Sequence, residues 1–213
     1  AGNDGMLCVD DDDHLKESKL LRSWGRSSSI FDEQSEAIEN RFNIDVSGIE
    51  YDAKFLLEKI GNNLEGSEIE ASFGLVQLED LENNITKREE NLKVQTDFMK
   101  QYEEFFVLPK QTEKARTAWL AYPLIIKDSA PFSRRDFQIY LEKRDIQTRT
   151  VFTGNITRQP GFKDLPMKKS AGEYTNSDNV MRGGVLIACH HGLTGDMIGH
   201  MHNTISEFLK TKV

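Results

Sequence analysis

"GGVLIACHHGLTGDMIGHMHNTISEFLK", residues 183–210, changes period halfway along, and that change decides the fold of the C-terminal half. The first eight residues, "GGVLIACH" (183–190), are a continuous apolar run behind two glycines, which reads as a buried strand. After the turn, Thr194 stands as an N-cap and Asp196 in the first turn of a closing helix. Met197, Ile198, Met201, Ile205, Phe208 and Leu209 form its apolar stripe. Strand then helix repeats upstream: "TAWLAYPLIIK" (117–127) reads as a strand, "SRRDFQIYLEKR" (133–144) as a helix capped by Ser133, and "IQTRTVF" (146–152) as an alternating strand. Residues 107–213 are therefore expected to form a small α/β or α+β domain.

Ahead of it, "SEIE" (67–70) is a capping box that opens a long connecting helix over 67–106. Ile69, Ala71, Phe73, Leu75, Val76 and Leu78 surround the axis of its first part, which predicts burial on all sides. Leu81, Ile85, Leu92 and Met99 keep to one stripe, so the second part reads as amphipathic and exposed. Residues 1–66 read as the end of an earlier unit. There Met6–Val9 suggests a short strand, "DDDHLKESKLLRSWGR" (11–26) a helix whose acidic start suits the helix dipole, and 27–52 a loop with a short helix. The acidic run lacks the alternating ligands, central Gly and closing Glu of a calcium loop. Opening on Ala1 and a Gly-containing turn, the chain reads as the tail of something longer.

With 27 Lys and Arg against 35 Asp and Glu, the formal charge of −8 disfavours nucleic acid and anionic lipid as partners. No apolar run approaches the roughly 18 residues of a membrane span, and no signal peptide is recognisable, so a cytoplasmic protein is expected. Cys8 and Cys189 alone cannot build a cysteine-rich metal centre.

Four of the five histidines crowd into 190–202. His200 and His202 point about 160° apart on a helix and cannot chelate one ion together, so His202 is expected to border the core and His200 to meet solvent. His190 and His191 sit where a strand ends and a helix begins, a position that often faces a pocket, and His191 is the candidate. The denser polar cluster is "TRTVFTGNITRQPGFK" (148–163). Its Arg149, Asn155 and Arg158, with hydroxyl and amide neighbours, fit a surface loop, and equally a receptor for carboxylate or phosphate. Arg182 precedes Gly183 and Gly184, which permit close backbone approach.

"TRTVFTGNITRQPGFK" followed by "VMRGGVLIACHHGLT" closely resembles the C-terminal domain of the sugar-nucleotide 3-dehydrases of the DegT/StrS superfamily, the branch that acts on CDP-4-keto-6-deoxyglucose and GDP-4-keto-6-deoxymannose. The "SWGR" and "SEIEASFGLVQL" stretches are shared with the sugar aminotransferases, and the resemblance runs along essentially the whole chain. It implies the C-terminal portion of an aspartate-aminotransferase-like, fold-type I protein: 1–66 the end of the large cofactor-binding domain, 67–106 the connecting helix, 107–213 the small domain. It further implies a parent enzyme that uses pyridoxal or pyridoxamine 5'-phosphate to remove the C3 hydroxyl of a nucleotide-linked 4-keto-6-deoxy sugar in deoxysugar and O-antigen synthesis.

In that family the anchoring His or Lys lies upstream of the position matching Ala1, so this chain resembles a fragment expected to be inactive alone. The region after "WGR" is "SSSIFDEQSEAIENRF", without the cysteines of the CDP-sugar branch, so no iron–sulfur cluster is expected. Asn63 matches the asparagine that reaches a neighbouring subunit's cofactor phosphate, which implies a homodimer; read without the resemblance, Asn63 merely precedes a helix cap. Arg149, Asn155, Arg158, Arg182 and His191 match the substrate-facing motifs, although Arg149 fits equally well as a tie between two strands. Two rival readings stand beside this one: a sugar aminotransferase of the same superfamily, and a non-catalytic folded remnant that binds a partner.

Overall fold

The closing strand and helix are present, as Gly184–Ala188 and Gly195–Lys210, in a computed structural model that describes residues 5–30, 41–42, 44–167 and 172–212. The chain divides into two compact units, Ala1–Glu79 and Asp80–Val213.

In the first unit, α1 (Asp12–Arg22) is capped by Asp11, whose carboxylate accepts from the His14 amide at 2.8 Å. Asp12 and Asp13 in its first turn and Lys19 and Arg22 in its last complement the dipole. The chain then turns sharply through Trp24 (φ 58°) and Gly25 (φ 82°). A Cβ on Gly25 would sit 1.8 Å from the Lys59 carbonyl oxygen, so glycine is required there. Segment 62–64 returns alongside: the Asn62 amide donates to Leu21 O, the Trp24 amide to Asn62 O and the Leu64 amide to Arg22 O. No strand forms over residues 6–9, where Met6 and Leu7 stand exposed, because no described segment pairs with them. The loop expected over 27–52 instead holds an antiparallel hairpin, β1 (Ile44–Val46) and β2 (Ile49–Tyr51). Ser47 and Gly48, both at positive φ, make its two-residue turn. Residues 31–40 of that stretch lie outside the described set.

The single helix expected over 67–106 is two helices: α2 (Glu68–Glu79) closes the first unit and α3 (Leu81–Met99) belongs to the second. The capping box forms, with the Glu70 amide donating to Ser67 Oγ at 3.2 Å and the Ser67 amide to Glu70 Oε2 at 3.3 Å. Burial of α2 does not follow. Ile69 is 83% exposed and Phe73 62%, and no α2 residue is buried. An all-round apolar helix predicts that something covers it, and the described residues do not supply the cover.

The second unit is built on a four-stranded antiparallel sheet in the order β3 (Phe106–Val107), β4 (Ala121–Ile126), β6 (Gly184–Ala188), β5 (Arg149–Thr150). Along β4 burial alternates residue by residue, so Tyr122, Leu124 and Ile126 face the core while Ala121, Pro123 and Ile125 lie on the other side. Phe137 and Leu141 of α4 (Arg134–Glu142) and Met201, Ile205, Phe208 and Leu209 of α6 (Gly195–Lys210) complete that core. The rings of Phe132, Phe137 and Phe208 meet edge-on or tilted with centroids 5.0–6.2 Å apart. Ser133 forms a full capping box with Asp136, and Thr194 Oγ1 accepts from the Met197 amide, as their sequence positions predict.

One helix, α5 (Thr175–Gly183), has no apolar run to announce it. Also unannounced is the buried face of α3, expected to be exposed. Asn91, Gln95 and Met99 are buried there, and two of the three are polar. Asn91 donates to His190 O at 2.9 Å and Gln95 to Ala188 O at 3.3 Å, pinning the end of β6 through side-chain amides.

Candidate functional site

The polar stretch 148–163 folds back onto α5, and glycine makes this possible. Gly154 has φ 62°, and a Cβ there would lie 2.5 Å from the Met181 side chain. The two glycines ending α5 work the same way: a Cβ on Gly183 would meet Ile126 O at 2.3 Å, and one on Gly184 would meet Val180 O at 2.4 Å. The helix thus runs directly into β6 beneath its neighbour strand.

Asn155 is buried and bonded through both its side-chain oxygen and its side-chain nitrogen. Its Oδ1 accepts from the Thr157 amide at 3.1 Å and from Thr157 Oγ1 at 2.7 Å, while Nδ2 donates to Asp178 Oδ1 at 2.7 Å. Arg158 grips the same carboxylate in a fork, through Nη2 to Oδ2 at 2.7 Å and Nε to Oδ1. These donors, the guanidinium first and the amide second, hold the Asp178 carboxyl down at about 2. Arg182, one helical turn after Asp178, adds its charge to that field and contacts Asn179 Oδ1 and Asp128. Asn155, Arg158 and Arg182 are therefore brought together around Asp178, a residue the sequence reading passed over because a lone Asp in a polar segment carries no pattern. The carboxylate matches the charge of Arg158, so this group is a clasp between loop and helix.

Arg149 has a different setting. It lies on the edge strand opposite Leu186 and has no carboxylate or other side-chain partner among the described residues. Its side chain lines a groove of about 760 Å³ on the open face of the sheet, with Pro123, Val151, Phe152, Leu186, Trp119 and His190 among the walls. The Phe152 ring is 86% exposed and its backbone is held at φ 46°. His190 Nδ1 accepts from the Gly192 amide at 3.1 Å, which places the proton of a neutral ring on Nε2. His200 also lines the groove and bonds the Arg144 carbonyl through Nε2 at 2.8 Å.

His191 points elsewhere: Arg88 of α3 approaches its Nδ1 through Nε at 3.3 Å and Nη2 at 3.2 Å. So His190, and not its neighbour, shares the groove with Arg149. His202 stacks on Phe98 at 3.8 Å and meets Gln95 Oε1 at 3.0 Å, bordering the core, and burial lowers its pKa.

In the first unit, Asn63 pairs with Ser23 in an isolated bridge beside the Trp24–Gly25 turn. Its Oδ1 accepts from the Glu65 amide at 3.4 Å, and Nδ2 of this exposed side chain has no partner among the described residues. Among the described residues no group of three His, Cys, Asp or Glu side chains is placed to hold a metal ion, and no helix is long and apolar enough to cross a membrane.

Over 209 residues the chain is 28% identical to the lipopolysaccharide biosynthesis protein RfbH of Salmonella typhimurium, covering 97% of this chain and 48% of that protein. It is 28% identical over 191 residues to the dTDP-4-dehydro-2,6-dideoxy-D-glucose 3-dehydratase of Saccharopolyspora spinosa, covering 89% and 41% respectively. The fold superposes on E. coli GDP-4-keto-6-deoxy-D-mannose-3-dehydratase, solved with hydrated PLP, at a TM-score of 0.74 and 18% identity, over 92% of this chain and 48% of that one. The chain spans about half the length of the relatives it matches. Residues 1–206 match the DegT/DnrJ/EryC1/StrS aminotransferase family, and the chain belongs to that family.

Proposed function

We propose that this chain is the C-terminal portion of a B6-dependent enzyme that removes the C3 hydroxyl of a nucleotide-linked 4-keto-6-deoxyhexose, and that it contributes the anion-gripping wall of the substrate site. The observation that carries the reading is Arg149, an exposed guanidinium with no carboxylate partner among the described residues, at the wall of a largely apolar groove that Asp145 also lines. A cation beside apolar walls favours an anionic ligand, and the planar fork suits phosphate or carboxylate. The donor on His190 Nε2 and the exposed Phe152 ring are suited to the polar edge and apolar face of a sugar or its nucleotide. Asn155, Arg158 and Asp178 act one step back, fixing the loop that follows the Arg149 strand.

Similarity to a 3-dehydratase among the curated relatives favours hydroxyl removal over amino transfer. Pyridoxal or pyridoxamine 5'-phosphate fits what the first unit presents, since Asn63 keeps an exposed amide donor of the kind a phosphate accepts from. When bound, that cofactor supplies the electron sink for the reaction. The exposed apolar α2 supports a parent assembly, read here as a cytoplasmic homodimer, in which further polypeptide covers this helix.

The test is the parent polypeptide incubated with pyridoxamine 5'-phosphate and a nucleotide-linked 4-keto-6-deoxyhexose, with the sugar followed by NMR. Loss of the C3 hydroxyl is expected. An amino group appearing at C4, with the C3 hydroxyl retained, would replace this reading with that of a sugar aminotransferase.

A further inference from the structure

We infer that Arg26, in the first unit, anchors a separate anion site that takes an oxyanion offering two oxygens from one centre, a phosphoryl group or a carboxylate. The left-handed pair Trp24 (φ 58°) and Gly25 (φ 82°) bends the chain so that the Arg26 guanidinium carbon lies 4.1 Å from the centroid of the Trp24 ring. The Phe55 ring lies 5.8 Å from the same carbon. Contact with a ring occupies a face of the guanidinium and leaves its in-plane N–H groups at the edge. None of those N–H groups has a hydrogen-bond or carboxylate partner among the described residues, although Arg26 is half-buried.

Nearby cations are treated differently. Arg22 has Glu65 at 3.3 Å and Lys59 has Glu17 at 3.1 Å. The adjacent hydroxyls give no compensation either, since Ser27, Ser28 and Ser29 donate to the carbonyls of Ala53, Lys54 and Arg26. A half-desolvated guanidinium beside a left-handed turn, its donors without a partner among the described residues, is arranged for an external anion. Phosphate carries the larger charge at neutral pH and is the stronger fit.

The site needs neither sugar nor B6 cofactor, so it can fail independently of the proposed reaction. Trp24 itself reports on it. In the full chain carrying Trp119→Phe, the remaining tryptophan is Trp24, and its emission is followed during titration with sodium phosphate and, separately, sodium acetate, both at constant ionic strength made up with chloride. A saturable change with phosphate, weaker with acetate, is expected; saturation by acetate alone would assign the site to carboxylates. Arg26→Gln should weaken binding by at least about tenfold. Arg26→Lys, which keeps the charge but loses the fork, should fall in between and guards against a folding defect, checked by circular dichroism. Saturation by neither anion, the same response to chloride, or unchanged affinity in a folded Arg26→Gln would overturn the proposal.

Discussion

The two units bury their apolar residues to very different extents. In the second, Phe106, Phe137, Phe208, Leu124, Leu141 and Ile187 are almost inaccessible and pack as one cluster. In the first, Leu20 and Ala53 are the buried apolar residues among those described, while Ile69, Phe73, Leu75, Val76 and Leu78 line an exposed helix. Hydrophobic composition therefore shows a capacity for burial and leaves open where the partner surface is. The second unit supplies its own partner surfaces, and the first presents the kind of face that belongs inside something larger.

Two phenylalanines put the comparison at greatest risk. Phe208→Ala should cost about 3–5 kcal/mol, because the ring is enclosed by three other aromatic side chains. Phe73→Ala should change stability by less than about 0.5 kcal/mol in this chain, since its ring is mostly in water. Urea unfolding followed by circular dichroism measures both, and equal losses would abolish the distinction.

Next come two glycines at positive φ. Gly154→Ala should cost about 1–3 kcal/mol through backbone strain and would also press on Met181. At Gly48, in the hairpin turn, a Cβ meets open space, so Gly48→Ala should cost less. The reverse order would mean that the loop does not rest on α5 as described.

A smaller effect is set by pH. Asp178 is lowered from 3.8 to about 2 in the fold, so its contribution is complete above 3.8 and fades as pH falls through about 2. The clasp between Arg158 and α5 should persist at pH 4 and loosen only in stronger acid, and Asp178→Asn should remove this carboxylate's share of the pH dependence, leaving that of other lowered carboxylates such as Asp97. Unfolding midpoints of the parent and the variant across this range check it; a variant that keeps the full dependence would assign it to other carboxylates.

The smallest change in stability is expected from Arg149→Ala, within about 0.5 kcal/mol, because that side chain holds nothing else in place among the described residues. Its effect should appear in substrate use by the parent enzyme. Arg158→Ala should do the opposite, loosening the loop first, as hydrogen exchange over 150–163 would register. Two arginines of one motif, read alike from their spacing, are thereby separated by whether a carboxylate is in reach.

Much of the second unit was legible in the chain itself. β4, β6, α4 and α6 announce themselves through alternation, an apolar run or a stripe, and Ser133, Thr194 and Ser67 cap where local chemistry demands. The hairpin over 44–51 left a signal that could have been used, an alternating pair of short runs around Ser47–Gly48. Helix α5 and the polar face of α3 left none, since Asn91 and Gln95 are buried to satisfy backbone carbonyls on another element and polar residues carry no hydrophobic periodicity. The same limit governs the candidate site. Periods, caps and glycine positions act within a few residues and can be read one segment at a time. The binding of Arg158 by Asp178, the turning of His190 to the groove and His191 to Arg88, and the placing of Arg149 at the groove wall depend on distant segments meeting, and only the folded arrangement decides them.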